Sequence, residues 1–327
     1  MHYHTQQDKR SVLPSRLLPA GVHFFLLLPI VVALLALTAC GGDDDSDSDG
    51  SGTSSTVKNT NANTVTDDAA VLRLEFPKVK GGTSKVIVRR TDGDTSYDSD
   101  EVNYAIEWDT ELKSQRWTCY QMHKGYTGSY SRVVSGYLFD PELDDDEYFD
   151  SDLFYGSGYD HGHICPNADR KYSYDANYQT FYLTNMQPQY NKFNGYSGSD
   201  EGLWLRIEEQ VRSITPSASS DTLYVCKGGT IDNEEDIIEY IDDQLIVPRY
   251  FFCALLMYSN GSYRAIGFWV EQENDYKTST PITDLVCSID KLEELTGIDF
   301  FCNLPDDTET SVEKSYNLSA WGMSTDK

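Results

Sequence analysis

Two histidines separated by one glycine give the first sign of chemistry in this sequence. His161 and His163 follow Asp160 and precede Pro166. A neutral imidazole can take a proton from water near pH 7, because its reference pKa lies close by. Amide and carboxylate side chains follow downstream, namely Asn185, Gln189, Asn194 and Glu208. This mixture is typical of a histidine base beside one hard cation, and it is a poor zinc site because zinc favours several histidine or cysteine ligands.

The same segment resembles the DNA/RNA non-specific endonucleases of the ββα-metal superfamily. The family pattern is matched in order by Asp160, Gly162, His163, Pro166, Ala168-Asp169, Thr184-Asn185, Pro188-Gln189, Asn194, Trp204 and Glu208. The resemblance extends over about residues 80 to 305. It implies an α+β protein with the ββα-metal nuclease fold, in which a mixed or antiparallel central sheet and flanking helices form a single catalytic domain.

The resemblance also implies a role for each matched residue. His163 would be the general base that activates water. Asn194 would bind Mg²⁺ directly, or Mn²⁺ in its place, while Glu208 would hold the metal-bound waters. Asp160 would orient those waters or the loop. Cleavage of a DNA or RNA phosphodiester bond would leave a 5′-phosphate, and the cation would neutralise charge on the leaving oxygen.

Further residues are expected to contact the substrate. Arg132 is the best match to an upstream family arginine that stabilises the phosphate in the transition state; otherwise it is a solvated loop residue. Arg170 and Asn185 are predicted to bind substrate. His161 stands where the family has arginine, which grips phosphate with a fixed fork of donors. It either contacts phosphate when protonated or only packs in the turn.

A glycine-rich insertion follows the predicted metal ligand. Residues 195–203 separate Asn194 from Trp204 by more positions than in the family, and three glycines favour flexibility. Asn191, Asp200 or Glu201 could therefore reach the cation in place of Asn194.

The elements that must position these residues follow from hydrophobic periodicity. Residues 127–158 are rich in Gly, Tyr, Asp and Ser and predict a long functional loop. Apolar residues at helical spacing predict helices over 203–214 and 284–296. Alternating or apolar runs predict strands within 72–90 and over 102–108, 117–122, 180–184, 223–226, 244–247, 251–258 and 265–270. The irregular order of strands and helices argues against a doubly wound sheet.

The first 39 residues are predicted to be a lipoprotein signal peptide. Basic residues precede an apolar run over 17–39, which ends in the lipobox-like Leu37-Thr38-Ala39-Cys40. Cys40 would become the lipidated first residue of the mature chain. The protein would then be lipid-anchored to the outer membrane of a bacterial envelope, on its surface or periplasmic face. The alternative is a permanent transmembrane helix.

An acidic tether and one domain complete the predicted organisation. Residues 40–70 carry an aspartate run and then serine, threonine and asparagine, which predicts a solvated, disordered tether. Residues 71–327 are assigned to the endonuclease-like domain. Membrane contact is expected through the lipid anchor only, and the oligomeric state is left open.

Six cysteines follow Cys40, an even number that permits up to three disulfides outside the cell. The expected pairs are Cys119–Cys165, Cys226–Cys253 and Cys287–Cys302. The alternative is six buried free thiols.

Net charge limits how the protein can meet nucleic acid. The formal charge is −27 and becomes −29 after removal of residues 1–39, so a broad basic surface is excluded. The predicted function is a metal-dependent endonuclease that does not distinguish the sugar. The alternatives are a surface-anchored nucleic-acid-binding or interaction module with reduced catalysis, and a metallohydrolase of another phosphodiester.

Overall fold

The structure is a computed structural model that describes residues 58–91, 102–126 and 128–324. All of them belong to one unit, Ser55–Lys327. The predicted signal peptide, Cys40 and most of the tether lie outside the described residues. No helix within the described part of the chain is long and apolar enough to cross a membrane.

A seven-stranded antiparallel sheet forms the centre of the fold, in the order β1-β2-β3-β8-β11-β12-β13. The strands of the described residues are β1 (Ser84–Arg90), β2 (Val102–Asp109), β3 (Ser114–Met122), β4 (Asp160–His163), β5 (Met186–Gln189), β6 (Tyr196–Ser197), β7 (Asp200–Glu201), β8 (Thr222–Gly229), β9 (Ile237–Ile241), β10 (Leu245–Pro248), β11 (Tyr250–Ser259), β12 (Ser262–Glu271) and β13 (Val286–Cys287). The α-helices are α1 (Tyr174–Gln179), α2 (Asn191–Asn194), α3 (Leu203–Ser213), α4 (Ile289–Thr296) and α5 (Asp306–Glu313).

The sheet is buried on both faces, and alternation along its strands sends side chains to two separate cores. On β3, Tyr120 and Met122 enter the first core, whereas Trp117 and Cys119 enter the second. The first core is covered by α3, which contributes Trp204, Ile207 and Val211. The second core is covered by α4 and by the apolar segments around Phe76 and Phe300. This arrangement confirms the predicted α+β class with an antiparallel central sheet and flanking helices.

Local signals explain where two of the covering helices begin and end. The periodic apolar residues of α3 face the core, and Trp204 stacks on Phe193. Helix α4 begins after Ser288, whose hydroxyl accepts a hydrogen bond from the backbone N–H of Lys291, and it ends at Gly297 in the left-handed conformation.

Two element predictions were wrong. Residues 180–184 do not form a strand: Thr180 ends α1, and Leu183–Asn185 is a 3-10 turn. The predicted helix over 284–296 begins only at Ile289, because residues 282–285 form a separate 3-10 turn and Val286–Cys287 pairs with the sheet edge.

The predicted disulfides are absent, and the six cysteines of the described chain are free thiols. Sheet geometry gives the reason for two pairs. Cys119 and Cys226 face the second core, while Cys165 and Cys253 face the first. Thiols that lie on opposite sides of the sheet cannot be bridged without backbone movement.

The folded body begins before the predicted boundary at residue 71. The carbonyl oxygen of Lys58 accepts a hydrogen bond from the backbone N–H of Asp306, and the amide of Asn63 donates to the carbonyl oxygens of Val71 and Pro77. Residues 58–70 are therefore bonded to the domain rather than part of the tether.

Candidate active site

A short antiparallel ladder between β4 and β5 carries the histidine motif. Asp160 pairs with Gln189, and His163 pairs with Met186. Gly162 is required by close packing, since a Cβ at this position would lie 2.3 Å from Cδ of the buried Gln189. The register of this ladder fixes the positions of the Asp160, His161 and His163 side chains relative to the solvent.

Asn185 fixes the turn that follows β4 and does not bind in the pocket. It is fully buried, its side-chain oxygen accepts from the backbone N–H of Cys165 at 2.9 Å, and its amide donates to the carbonyls of Cys165 and Thr180. Asn185 was predicted to bind substrate; in the structure its hydrogen-bonding groups are used within the protein. It positions the end of the strand that holds His163.

A cavity of about 560 Å³ brings most of the predicted site residues together. The predicted residues that line it are Arg132, Asp160, His161, His163, Asn194 and Glu208. They come from the long loop, from β4, from the end of α2 and from α3. Arg132 and Glu208 are 76 positions apart in the chain and line the same cavity only in the folded protein.

His163 has the properties of a neutral base. Its Nε2 atom is buried and has no hydrogen-bond partner within the protein. Burial, followed by the positive charge of Arg132, lowers the pKa of His163 to about 3. The imidazole therefore carries no proton on one nitrogen at neutral pH and can accept one.

His161 lines the same cavity but is held on all sides. Its ring stacks on Tyr137 at 3.7 Å and on Phe154 at 4.5 Å between centroids, and its Nε2 atom lies 2.9 Å from a carboxylate oxygen of Asp152. Burial lowers the pKa of His161, although Asp152 opposes that effect. Of the two roles considered from the sequence, these contacts favour packing in the turn over a phosphate grip.

Asn194 lies where a cation ligand is expected, despite the insertion. Its side-chain amide donates to Oδ2 of Asp160 at 3.2 Å, which leaves its own oxygen as the available acceptor. The insertion folds into the small β6–β7 hairpin, closed by a backbone hydrogen bond from Gly202 to Gly195. Asp200 and Glu201 lie exposed in that hairpin and do not line the cavity, whereas Asn191 also donates to Asp160.

Glu208 faces two basic groups as well as the cavity. Oxygens of Glu208 lie 3.7 Å from a guanidinium nitrogen of Arg212 and 4.0 Å from Nζ of Lys227. Burial raises the pKa of Glu208 to about 7, although Lys227 and Arg212 act in the opposite direction. Arg212 was missed from the sequence, yet it lines the cavity and also bonds Asp169. Its position one helical turn after Glu208 was the available signal.

Arg132 and Arg170 are placed very differently. Arg132 is exposed on the cavity wall with a positive φ of 45°, and among the described residues it forms no ion pair. Arg170 is fully buried, with its guanidinium 4.4 Å from the centre of the Tyr120 ring and donating to the carbonyl oxygen of Asp169. Arg170 was predicted to bind substrate; in the structure it is buried in the core and does not line the cavity.

The donor set fits a hydrated hard cation. Asn194, Asp160 and Glu208 offer amide and carboxylate oxygens around one open cavity, and no cysteine lines it. Oxygen donors of this kind suit Mg²⁺ or Mn²⁺, and Mg²⁺ keeps several waters when few protein groups are present.

Comparison with known proteins decides the family. The sequence model of the DNA/RNA non-specific endonucleases matches residues 84–307. The chain belongs to the DNA/RNA non-specific endonuclease family. A nuclease of Nostoc sp. is 26% identical over 224 residues, which are 64% of this chain and 75% of that protein. The mitochondrial nuclease of Saccharomyces cerevisiae is 29% identical over 177 residues, 50% of this chain and 52% of that protein.

Other relatives are longer than the matched region. Mitochondrial nuclease EXOG of Xenopus laevis is 25% identical over 217 residues. The match includes 63% of this chain and 58% of that protein. The fold matches a chain of the crystal structure of the EndoG/EndoGI complex, with a TM-score of 0.53 and 19% identity, covering 68% of this chain and 88% of that one. This likeness confirms the predicted ββα-metal nuclease fold.

The low pKa of His163 predicts a specific acid response. The unfolded chain takes up a proton on this histidine below about pH 6.5, while the folded chain stays neutral until about pH 3. The unfolded state therefore binds more protons than the folded state between these pH values. The contribution of His163 to the free energy of unfolding falls by about 1.4 kcal/mol per pH unit as the pH drops. Urea unfolding between pH 7 and 4.5 should show a steeper loss for the wild type than for His163→Asn. Movement of the His163 ring signals in NMR between pH 7 and 5 would contradict this prediction.

Substitution of Arg170 should lower stability much more than substitution of Arg132. Arg170→Met removes a buried cation–π contact and carbonyl hydrogen bonds, and it should cost about 2–4 kcal/mol of unfolding free energy. Arg132→Met, at an exposed site, should change it by less than about 0.5 kcal/mol. Urea unfolding of both variants against wild type measures the difference. Equal losses would refute the assignment of Arg170 to the core.

Proposed function

We propose that this chain hydrolyses phosphodiester bonds of DNA and RNA with a histidine base and one divalent cation, leaving 5′-phosphate ends. The observation that supports it most is the unpartnered Nε2 of His163 in a cavity shared with Arg132, Asn194 and Glu208. Family membership supports the reaction class, and the arrangement of these residues supports the division of roles.

His163 takes the proton from the attacking water. Its neutral state is maintained by burial and by Arg132, and an anionic phosphate bound in the cavity would raise its pKa towards a range better suited to a base. Asn185 and the β4–β5 ladder keep the imidazole in place, so little reorganisation is needed at the moment of reaction.

Asn194 would hold a hydrated Mg²⁺ or Mn²⁺, with Asp160 and Glu208 orienting its waters. When bound, the cation supplies charge neutralisation at the phosphate and the leaving oxygen. Arg132 contributes a fixed positive charge on the cavity lining, close enough to His163 to affect its pKa. Arg212 holds the Glu208 carboxylate in place from the same helix.

The acidity of the chain is compatible with this function. With a formal charge of −27, bulk attraction to nucleic acid is excluded, so binding depends on the cavity and the cation. Tyr155 lines the cavity rim and its side chain is 74% exposed, which makes it available for stacking on a base. Contacts to phosphate and to the face of any base do not read sequence or sugar.

The expected place of action is the outer membrane of a bacterial cell, through lipid on Cys40. The support is the sequence pattern around Leu37–Cys40 and the acidic run that follows. Weak, metal-bridged binding by an anchored enzyme suits turnover of nucleic acid outside the cell.

Nuclease activity should require both the cation and His163. We expect the wild type to cut supercoiled plasmid and single-stranded RNA in Mg²⁺ and to stop in EDTA. His163→Ala should lose about 10²- to 10⁴-fold in rate. His123→Ala is the matched control, since His123 bonds Gln121 and does not line the cavity.

Two results would reject this mechanism. One is a wild type that binds but never cuts either substrate, which is the behaviour of a binding module. The other is a His163→Ala protein that cuts as fast as His123→Ala.

The anchor is tested by detergent phase partition. The full chain, expressed in a bacterial host that processes lipoproteins, should enter the detergent phase, while Cys40→Ala should remain in the aqueous phase after removal of its signal or accumulate unprocessed. Cys287→Ala serves as the cysteine control because Cys287 lies in the sheet edge far along the chain. A wild type that remains in the aqueous phase, or a Cys40→Ala protein that loses residues 1–39 and still enters the detergent phase, would contradict lipidation at Cys40.

A further inference from the structure

Three carboxylates meet between α4 and α5, away from the nuclease cavity. Asp290 and Glu293 lie one turn apart on α4, and Glu313 is the last residue of α5. One oxygen of each lies within 4.8 Å of the others. Helix α4 packs on the second core, whereas Ile164, next to His163, packs in the first. The central sheet therefore separates this cluster from the candidate active site.

Glu313 is buried with an unsatisfied oxygen. The residue is only 5% exposed, and its Oε1 atom has no hydrogen-bond partner. In the described part of the chain, no lysine or arginine forms an ion pair with Asp290, Glu293 or Glu313; Lys291, between them in sequence, pairs with Glu294 instead. A buried carboxylate without partners is costly, so the arrangement calls for a positive group that the protein itself does not provide.

The surroundings add negative charge rather than neutralise it. Asp299 and Glu309 lie close by, and both accept hydrogen bonds from the side chain of Asn61. The carboxyl end of α5, which has no basic residue in its last turn, contributes a partial negative charge at Glu313.

The pKa values reflect this crowding. Burial, followed by the neighbouring carboxylates, raises the pKa of Glu313 to about 10. Burial raises the pKa of Glu293 to about 7, opposed by the hydrogen bond from the backbone of Phe300. Both shifts follow from the burial and mutual repulsion of carboxylates that the fold brings together.

We propose that Asp290, Glu293 and Glu313 form a structural Ca²⁺ site that joins α4 to α5. Two oxygens bound to one Ca²⁺ at 2.3–2.6 Å lie at most about 5 Å apart, and the three carboxylates satisfy this limit without rearrangement. Asp290 is exposed, so solvent can enter and complete the coordination with water. Three carboxylates of irregular geometry suit Ca²⁺ better than Mg²⁺, which demands a nearly ideal octahedron.

The site would secure the C-terminal part of the domain. Helix α5 also holds the start of the folded body, through Asp306 with Thr60 and through Glu309 with Asn61. A cation between α4 and α5 would therefore stabilise the docking of residues 58–63 as well as of the helices themselves. It would act on stability and not on the chemistry of the nuclease cavity.

Calcium binding by the purified full chain tests the proposal. After removal of metal with EGTA, CaCl₂ is titrated by calorimetry into the wild type, Glu313→Gln and the matched control Glu294→Gln, which alters an exposed carboxylate of the same helix. We expect Glu313→Gln to lose one bound Ca²⁺, or to bind it at least tenfold more weakly, while Glu294→Gln binds as the wild type does. An ion in the nuclease cavity would persist in all three proteins and does not affect the comparison.

Thermal unfolding supplies a second readout. Ca²⁺ should raise the Tm of wild type and of Glu294→Gln by about 2–4 °C, with no gain for Glu313→Gln. Glu293→Gln should behave like Glu313→Gln and replaces it if that variant does not fold. The proposal is overturned if Ca²⁺ does not bind to the wild type outside the cavity, or if Glu313→Gln retains the affinity and the Tm gain of Glu294→Gln.

Discussion

The hydrogen bonds that fix β4 and the turn after it are the constraint on which the site depends. The β4–β5 ladder sets the register of the histidine motif, and the buried Asn185 ties the turn at Cys165 to the end of α1 at Thr180. The hydrogen bonds of Asn185 to the backbone hold the turn without using His163. Nε2 of His163 therefore remains without a hydrogen-bond partner in the protein. An unsatisfied buried polar atom is tolerated only where the surrounding structure is strongly determined.

Burial and charge then give neighbouring groups different protonation states. His163 is kept neutral, with its pKa near 3, and Glu208 is held near 7 by burial against the pull of Lys227 and Arg212. Such separation of pKa values among adjacent groups is typical of acid–base sites. His161 has a different role from His163. The rings of Tyr137 and Phe154 stack on it and hold it in the cavity wall.

Carboxylates on the two faces of the sheet differ in whether they have basic partners. On the nuclease face, arginines are placed beside the carboxylates of α3, and Arg212 contacts both Asp169 and Glu208. On the other face, Glu293 and Glu313 come together without a basic partner among the described residues. Under the two proposals, bound cations rather than a basic surface would neutralise these sites.

The sequence alone was enough to predict the family and the antiparallel α+β fold. It also singled out His163, Asn194, Glu208 and Arg132, which line one cavity. This was possible because the types and order of the motif residues are retained even where overall sequence identity is low. It predicted α3 well because amphipathic periodicity is local. Only the tertiary structure decided the rest. Burial turned Arg170 and Asn185 from substrate ligands into supports, and contacts from distant segments made residues 180–184 a helix end and a turn. The faces of the sheet separated two of the three cysteine pairs that were expected, and the folding of two helices brought Glu313 to Asp290. Burial and contacts between distant residues depend on the whole packed chain, so no local pattern could reveal them.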